Sequence, residues 1–177
     1  MKKILLLSII ASLVFVSCID VVEVNKKDIL VKNIDSIEQK IFSDKEYTPI
    51  KSDIDTMILL YDNYIDKYKD DSLAIIYMFK KAGLLKINHQ YEQAIAIFED
   101  INMNHPKFNR APDALLYEAM IYGDDLKNEV MAEKKYKEFI SKYPNHPYRK
   151  DAEDLIKLLG KSDEEIMEMI LKNDTIK

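Results

Sequence analysis

Tyr61-Asp62-Asn63-Tyr64-Ile65-Asp66-Lys67-Tyr68 and Tyr136-Lys137-Glu138-Phe139-Ile140-Ser141-Lys142-Tyr143 follow one pattern at an offset of 75 residues. Each reads aromatic, two polar, aromatic, Ile, polar, Lys, Tyr. Halfway between them lies Phe98-Glu99-Asp100-Ile101, followed by Pro106, 38 residues before Pro144. Ala94 and Ala132 are 38 apart, and Ala82 and Ala119 are 37 apart. A fixed period of 37–38 residues marks a chain built from repeated supersecondary units, none of which buries its apolar side alone.

Each unit reads as two helices. Met78, Ala82 and Leu85 are spaced four then three, as are Leu115, Ala119 and Tyr122, which places each set on one helix face. After Asn88-His89 a second helix carries Tyr91, Ala94, Ile95, Phe98 and Ile101 inward. In the next unit Ala132, Tyr136, Phe139 and Ile140 do the same, and Pro144 ends the helix. Gly123-Asp124-Asp125 weakens the end of the helix before it.

These residues resemble the tetratricopeptide repeat family. Ala82 and Ala119 match the small residue midway along its first helix, and Tyr91 the aromatic that opens the second. Ala94 and Ala132 match the small residue that follows, Phe98 and Tyr136 the large aromatic, and Pro106 and Pro144 the closing proline. His89 stands where the family usually has Gly, and the second unit carries about one extra residue before Glu129. Small residues let two helices approach closely. The resemblance covers about residues 52–172. It implies an all-α fold, a right-handed α-solenoid of antiparallel helix pairs with about three units. The closing run, with Lys142-Tyr143-Pro144-Asn145-His146-Pro147 and Leu158-Leu159-Gly160-Lys161-Ser162, looks like that of tetratricopeptide lipoproteins of Bacteroidota type. More loosely it resembles BamD-type outer-membrane assembly lipoproteins and CpoB-type periplasmic proteins.

Outside the repeats, Ser52-Asp53-Ile54-Asp55 suits a helix start, and that helix runs to about Lys69. Tyr148 to Leu159 reads as a helix stopped by Gly160, and Ser162 to Glu165 as a capping box opening a last helix. Ile34 to Phe42 gives one further short helix. Gly (3) and Pro (5) are scarce in the 177 residues, which fits long helices rather than a turn-rich β architecture.

The chain opens as a secretory signal. Met1-Lys2-Lys3 is positive, Ile4 to Val16 is apolar but for two serines, and Ser17-Cys18 follows. The run is shorter than the about 20 residues a transmembrane helix needs. Leu13-Val14-Phe15-Val16-Ser17-Cys18 resembles a bacterial lipobox, with Phe15 where Leu is usual. That resemblance implies cleavage before Cys18 and lipid on its thiol and new amino terminus. The expected organisation is a lipoprotein signal at 1–17, a tether at 18–45 containing the short helix, and the helical repeat domain at 46–177. The tether proper is read from Ile19 to about Asn33.

Charge and composition exclude several functions. The formal net charge is −5, and no basic cluster stands free of acidic neighbours, so nucleic acid is not an expected partner. Without Lys2 and Lys3 there remain 24 basic and 31 acidic residues, a charge of −7. Such a domain does not hold to an anionic membrane by charge, and the lipid must do so. His89, His105 and His146 lie at turns and unit boundaries, away from metal-ligand spacing. Gly83, Gly123 and Gly160 are isolated, with no phosphate-binding loop. No metal, cofactor, small-molecule substrate or enzymatic activity is expected.

In the family, first helices of successive units line a concave groove. By helical phase this nominates Ile76, Phe79, Gly83 and Lys86 in one unit and Leu116, Met120, Gly123 and Asp124 in the next. A groove mixing Phe, Met and Leu with Lys and Asp suits an extended peptide or an amphipathic helix. The expected function is a membrane-anchored protein–protein interaction scaffold in the bacterial cell envelope, held by Cys18 to the outer membrane, on its periplasmic or its surface side. The alternatives are a structural accessory subunit of an envelope complex and a glycan- or nutrient-binding lipoprotein, the latter disfavoured by the absence of Trp. The Cys18→Ala variant is expected to move from the membrane to the soluble fraction on cell fractionation; unchanged membrane association would reject the anchor.

Overall fold

The computed structural model describes residues 26–43 and 48–174, and all regular structure among them is helical. α1 covers 26–43. It is followed by α2 (Lys51–Lys67), α3 (Ser72–Ile87), α4 (Tyr91–Asn104), α5 (Ala111–Met120), a π-helical turn (Ile121–Asp125), α6 (Glu129–Lys142), α7 (Arg149–Leu158) and α8 (Asp163–Asp174). The expected signal at 1–17, Cys18 and the first part of the tether lie outside the described residues. The chain divides into two compact units, Met1–Asp70 and Asp71–Lys177.

In the first unit α1 begins at residue 26, so the tether read as far as Asn33 is too long and the short helix expected from Ile34 is really a longer one. Lys26-Lys27-Asp28 looks like linker by composition. Yet Leu30, Ile34, Ile37 and Ile41 recur at four, three and four residues, and Ile34 and Ile41 are buried. α2 buries Met57, Tyr61 and Tyr64, again one face. The Tyr61 hydroxyl donates to Glu38 Oε1 at 2.7 Å and ties the two helices. α2 starts one residue before Ser52, and the Asp53 carboxylate accepts the Ile50 N–H at 2.9 Å. Both helices belong to the first compact unit, whose boundary falls at 70/71.

In the second unit each helix from α3 to α7 packs on the next in sequence. Local chemistry sets the turns. Asp71 Oδ1 caps α3 by accepting the Leu73 N–H at 2.8 Å. The α3–α4 turn places His89 at φ 59°, the left-handed conformation for which Gly is the usual residue. His89 Nδ1 lies 2.6 Å from the Tyr91 hydroxyl, a local bond that helps hold the turn. Asn128 Oδ1 caps α6 at the Met131 N–H, 3.1 Å. Gly160, at φ 71°, closes the α7 end. Ser162 and Glu165 form the expected capping box, with Ser162 N–H donating to Glu165 Oε2 at 2.8 Å and Glu165 N–H to Ser162 Oγ at 3.3 Å.

The core runs along a line of small residues. Ala82, Ala94, Ala114, Ala119, Ala132 and Ala152 are all fully buried. Leu115, Leu116, Ala119, Ala132, Tyr136, Phe139 and Ala152 form one continuous cluster, with Leu155, Ile156 and Leu159 against it. The extra residue before α6 is accommodated in the backbone. The last turn of α5 widens, the Leu126 N–H donating to the Ile121 carbonyl at 2.9 Å, which is π-helical spacing. A Cβ on Gly123 in that turn would stand 3.3 Å from Ala132 Cβ and 3.2 Å from Leu159 Cδ2.

Ala132→Leu inserts three carbons into this seam and is expected to cost about 1–3 kcal/mol, read as a lowered midpoint of thermal unfolding. Ala96→Leu, on the exposed face of α4, is the control and is expected to leave stability nearly unchanged.

Candidate functional site

A recess with an apolar floor lies on the side of α5 and α7. Leu116, Tyr117 and Met120 of α5 form its floor with Leu155 of α7, and Arg110, Asp113, Tyr148 and Asp151 stand around them, enclosing about 310 Å³. The sequence explains the placement. Asp113, Leu116, Tyr117 and Met120 recur at three and four residues, one stripe of α5, while Leu115 and Ala119 turn into the core. Tyr148 and Asp151 come from the first turn of α7, and Tyr148 is half exposed.

Arg110 is fixed on both sides. Its Nε donates to Asp113 Oδ2 at 2.9 Å, and its guanidinium lies 3.9 Å from the centroid of the Phe79 ring. A cation over an aromatic face is attracted by the ring quadrupole. Phe79 also meets Phe98, Phe108 and Tyr117 at centroid distances of 5.6, 6.1 and 5.8 Å.

Of the nominated groove residues, Leu116 and Met120 line this recess. Phe79 is buried under Arg110 and the neighbouring rings, so it supports the wall rather than presenting a surface. Gly83, one turn further along α3, faces open space, with nothing within 4 Å of a Cβ placed there. Ile76 is half-buried. Lys86 is held by Asp125 of the π-helical turn at 3.1 Å. Gly123 and Asp124 lie instead in a second recess of about 610 Å³ with Tyr136, Leu158, Gly160 and Ile166, between the π-helical turn and the start of α8. Burial, with the Asp124 charge adding to it, raises the pKa of the Tyr136 hydroxyl there. The structure thus brings Leu116 and Met120 together and places Asp124 elsewhere.

A polar centre that the sequence reading missed lies in the α4–α5–α6 layer. The Glu118 side chain is 1% exposed and meets Lys135 Nζ at 2.6 Å, with Glu99 at 3.7 Å and Glu138 at 4.0 Å from the same ammonium. Burial pushes the Glu118 carboxyl above the ordinary range, and the hydrogen bond and charge of Lys135 pull it part of the way back. Burial alone would lower Lys135. The hydrogen bond and charge of Glu118 outweigh that and hold it above its usual value. Glu118 follows Leu115 by three residues and precedes Ala119 by one, so its place on the inward face was the available signal. Among the described residues no group of His, Cys, Asp and Glu is arranged to hold a metal ion.

Lys135→Met leaves Glu118 buried without its counter-charge and is expected to destabilise the fold by about 3–5 kcal/mol in urea unfolding. Replacing both, as Glu118→Leu with Lys135→Met, is expected to restore most of that loss. Equal destabilisation by the single and double variants would show that the ion pair is not the origin of the cost.

No protein-family model matches the chain, and no characterised protein matches it in sequence. The functional reading therefore rests on residue pattern and geometry.

Proposed function

We propose that this chain is a lipid-anchored tetratricopeptide-type scaffold of the bacterial envelope that holds a peptide or helix of a partner protein against the α3, α5 and α7 face. The observation that carries this reading is the recess of Leu116, Tyr117, Met120 and Leu155; on α3, a Cβ at Gly83 would meet nothing within 4 Å. Apolar floors with a few polar groups at the margin suit an apolar side chain delivered by another chain. Phe79, Arg110 and Tyr117 link α3 to it, and Gly83 follows Phe79 by one helical turn on α3, so the proposed ligand runs from the Gly83 side toward Met120.

The repeat period, the line of buried alanines and the sequential packing of α3 to α7 support a stack of helix pairs in the second unit. The exterior is organised by paired charges, such as Lys137–Glu133 at 2.6 Å and Arg149–Glu153 at 2.7 Å on successive helix turns. These are ordinary solvated faces of small energetic weight. Anchorage at Cys18, in this reading, fixes the domain at the outer membrane and leaves the apolar recess as its contact surface.

A photo-crosslinking side chain at Met120 is expected to capture discrete envelope partners in living cells. The same group at Val130, which is 78% exposed on α6, is expected to capture none of them. Gly83→Leu fills the open space and is expected to abolish the Met120 crosslinks without loss of thermal stability, since Leu exceeds Gly in helix propensity by up to about 1 kcal/mol. Crosslinks that persist in Gly83→Leu, or that appear equally from Val130, would reject this face as the contact surface.

A further inference from the structure

We propose that the segment received by the α5–α7 recess is cationic as well as apolar: an amphipathic stretch with a Leu-, Ile- or Phe-type anchor flanked by Lys or Arg. This rests on the reading of the recess as a partner site and adds the chemistry of the partner.

The charged residues that line the recess do not balance. Arg110 is the one cation among them. It is paired through Nε with Asp113 at 2.9 Å, and its guanidinium lies 3.9 Å from the Phe79 ring centroid, so its charge is already shared with a carboxylate. Asp113 is in turn satisfied by Arg110, with His146 Nε2 4.0 Å from its other oxygen. Asp151 is different. It is exposed and comes from α7 with Tyr148 and Leu155; Arg149 pairs with Glu153 at 2.7 Å and Lys150 with Asp154 at 3.0 Å, Lys150 feeling the Asp151 charge more weakly than that of Asp154. Arg110 and Asp113 cancel, and Asp151 leaves the recess with an excess negative charge.

An apolar floor then decides the anchor and Asp151 decides its flank. A carboxylate beside the anchor would face Asp151 and find only an Arg110 already paired with Asp113, whereas an ammonium or guanidinium would gain a partner at the rim. Rim charges act chiefly on selectivity and association rate. The overall charge of −5 adds a long-range field of the same sign, which favours encounter with a basic segment. Tyr148, from the same turn of α7, offers an exposed ring edge and hydroxyl, suited to the alkyl stem of a lysine or the plane of an arginine.

The test uses the whole soluble chain carrying Cys18→Ala and two labelled helical peptides of about four turns. The peptides share one stripe of Leu and differ only in having Lys or Glu beside it. Fluorescence anisotropy at low salt is expected to show the Lys peptide binding about tenfold or more tightly than the Glu peptide. Asp151→Lys is expected to erase or invert that preference, and added salt to shrink it. Equal binding of the two peptides, or preference for the Glu peptide, would overturn the charge selection. If in that case Gly83→Leu still weakens both peptides, the recess stands as the contact surface and only its selectivity falls. If neither peptide binds, or binding ignores Gly83→Leu, the contact surface itself is wrong and the charge selection fails with it.

Discussion

Close approach of helices at alanine is the constraint on which the second unit depends. Ala82, Ala94, Ala114, Ala119, Ala132 and Ala152 are fully buried, and no larger side chain fits where helix backbones approach so nearly. The aromatic residues fill what the alanines leave. Phe98, Tyr136 and Phe139 are buried to within 1%, each beside a small residue of the same or a facing helix. This alternation of small and large leaves Tyr117 and Met120 of α5 only partly buried, with Leu116 reaching from the core cluster to the recess. The recess is thus a by-product of the core: the face that cannot enter the alanine seam remains as surface.

Helices, their turns and the small-residue line were legible in the sequence because each has a local cause. Period and phase located α3 to α6, Gly160 and the Ser162–Glu165 box located the α7–α8 junction, and the proline positions located the ends of α4 and α6. What was not legible is tertiary. The reach of α1 back to residue 26 was hidden by Lys26-Lys27-Asp28, whose charge resembles linker until the four-three spacing of Leu30, Ile34 and Ile37 is counted. Phe79 has the phase of a groove residue, but Arg110, from the turn before α5, folds over it. Asp124 also has the right phase on an ideal α-helix. The π-helical turn shifts the phase from Ile121 onward, and Asp124 swings to the α8 side.

That turn shows how an irregular repeat is reconciled with a regular core. An extra residue between α5 and α6 would ordinarily lengthen the loop. Here it widens the last turn of α5, and Leu126 and Asn128 donate to Ile121 and Tyr122 at 2.9 and 2.7 Å. The backbone groups remain satisfied, Lys127 takes a left-handed φ of 53°, and Gly123 is brought against Ala132 and Leu159. Because a Cβ at Gly123 would already crowd these atoms, the glycine is there for proximity rather than for backbone freedom.

The polar centre and the recess divide the second unit by chemistry. Glu118 and Lys135 place a buried ion pair between α5 and α6, where desolvation consumes much of the Coulombic gain, so its net contribution to stability is modest and its directional demand is large. A carboxylate with one near ammonium tolerates little sliding of α6 along α5. An alanine seam alone is more permissive, since one small apolar contact resembles the next. Lys135 of α6 meets Glu118 at one point along the otherwise apolar contact of α5 with α6. A rotation of α5 by one residue, about 100°, would carry Glu118 away from that ammonium and Tyr117 and Met120 away from Leu155 of α7, so the ion pair and the recess depend on the same rotation of one helix.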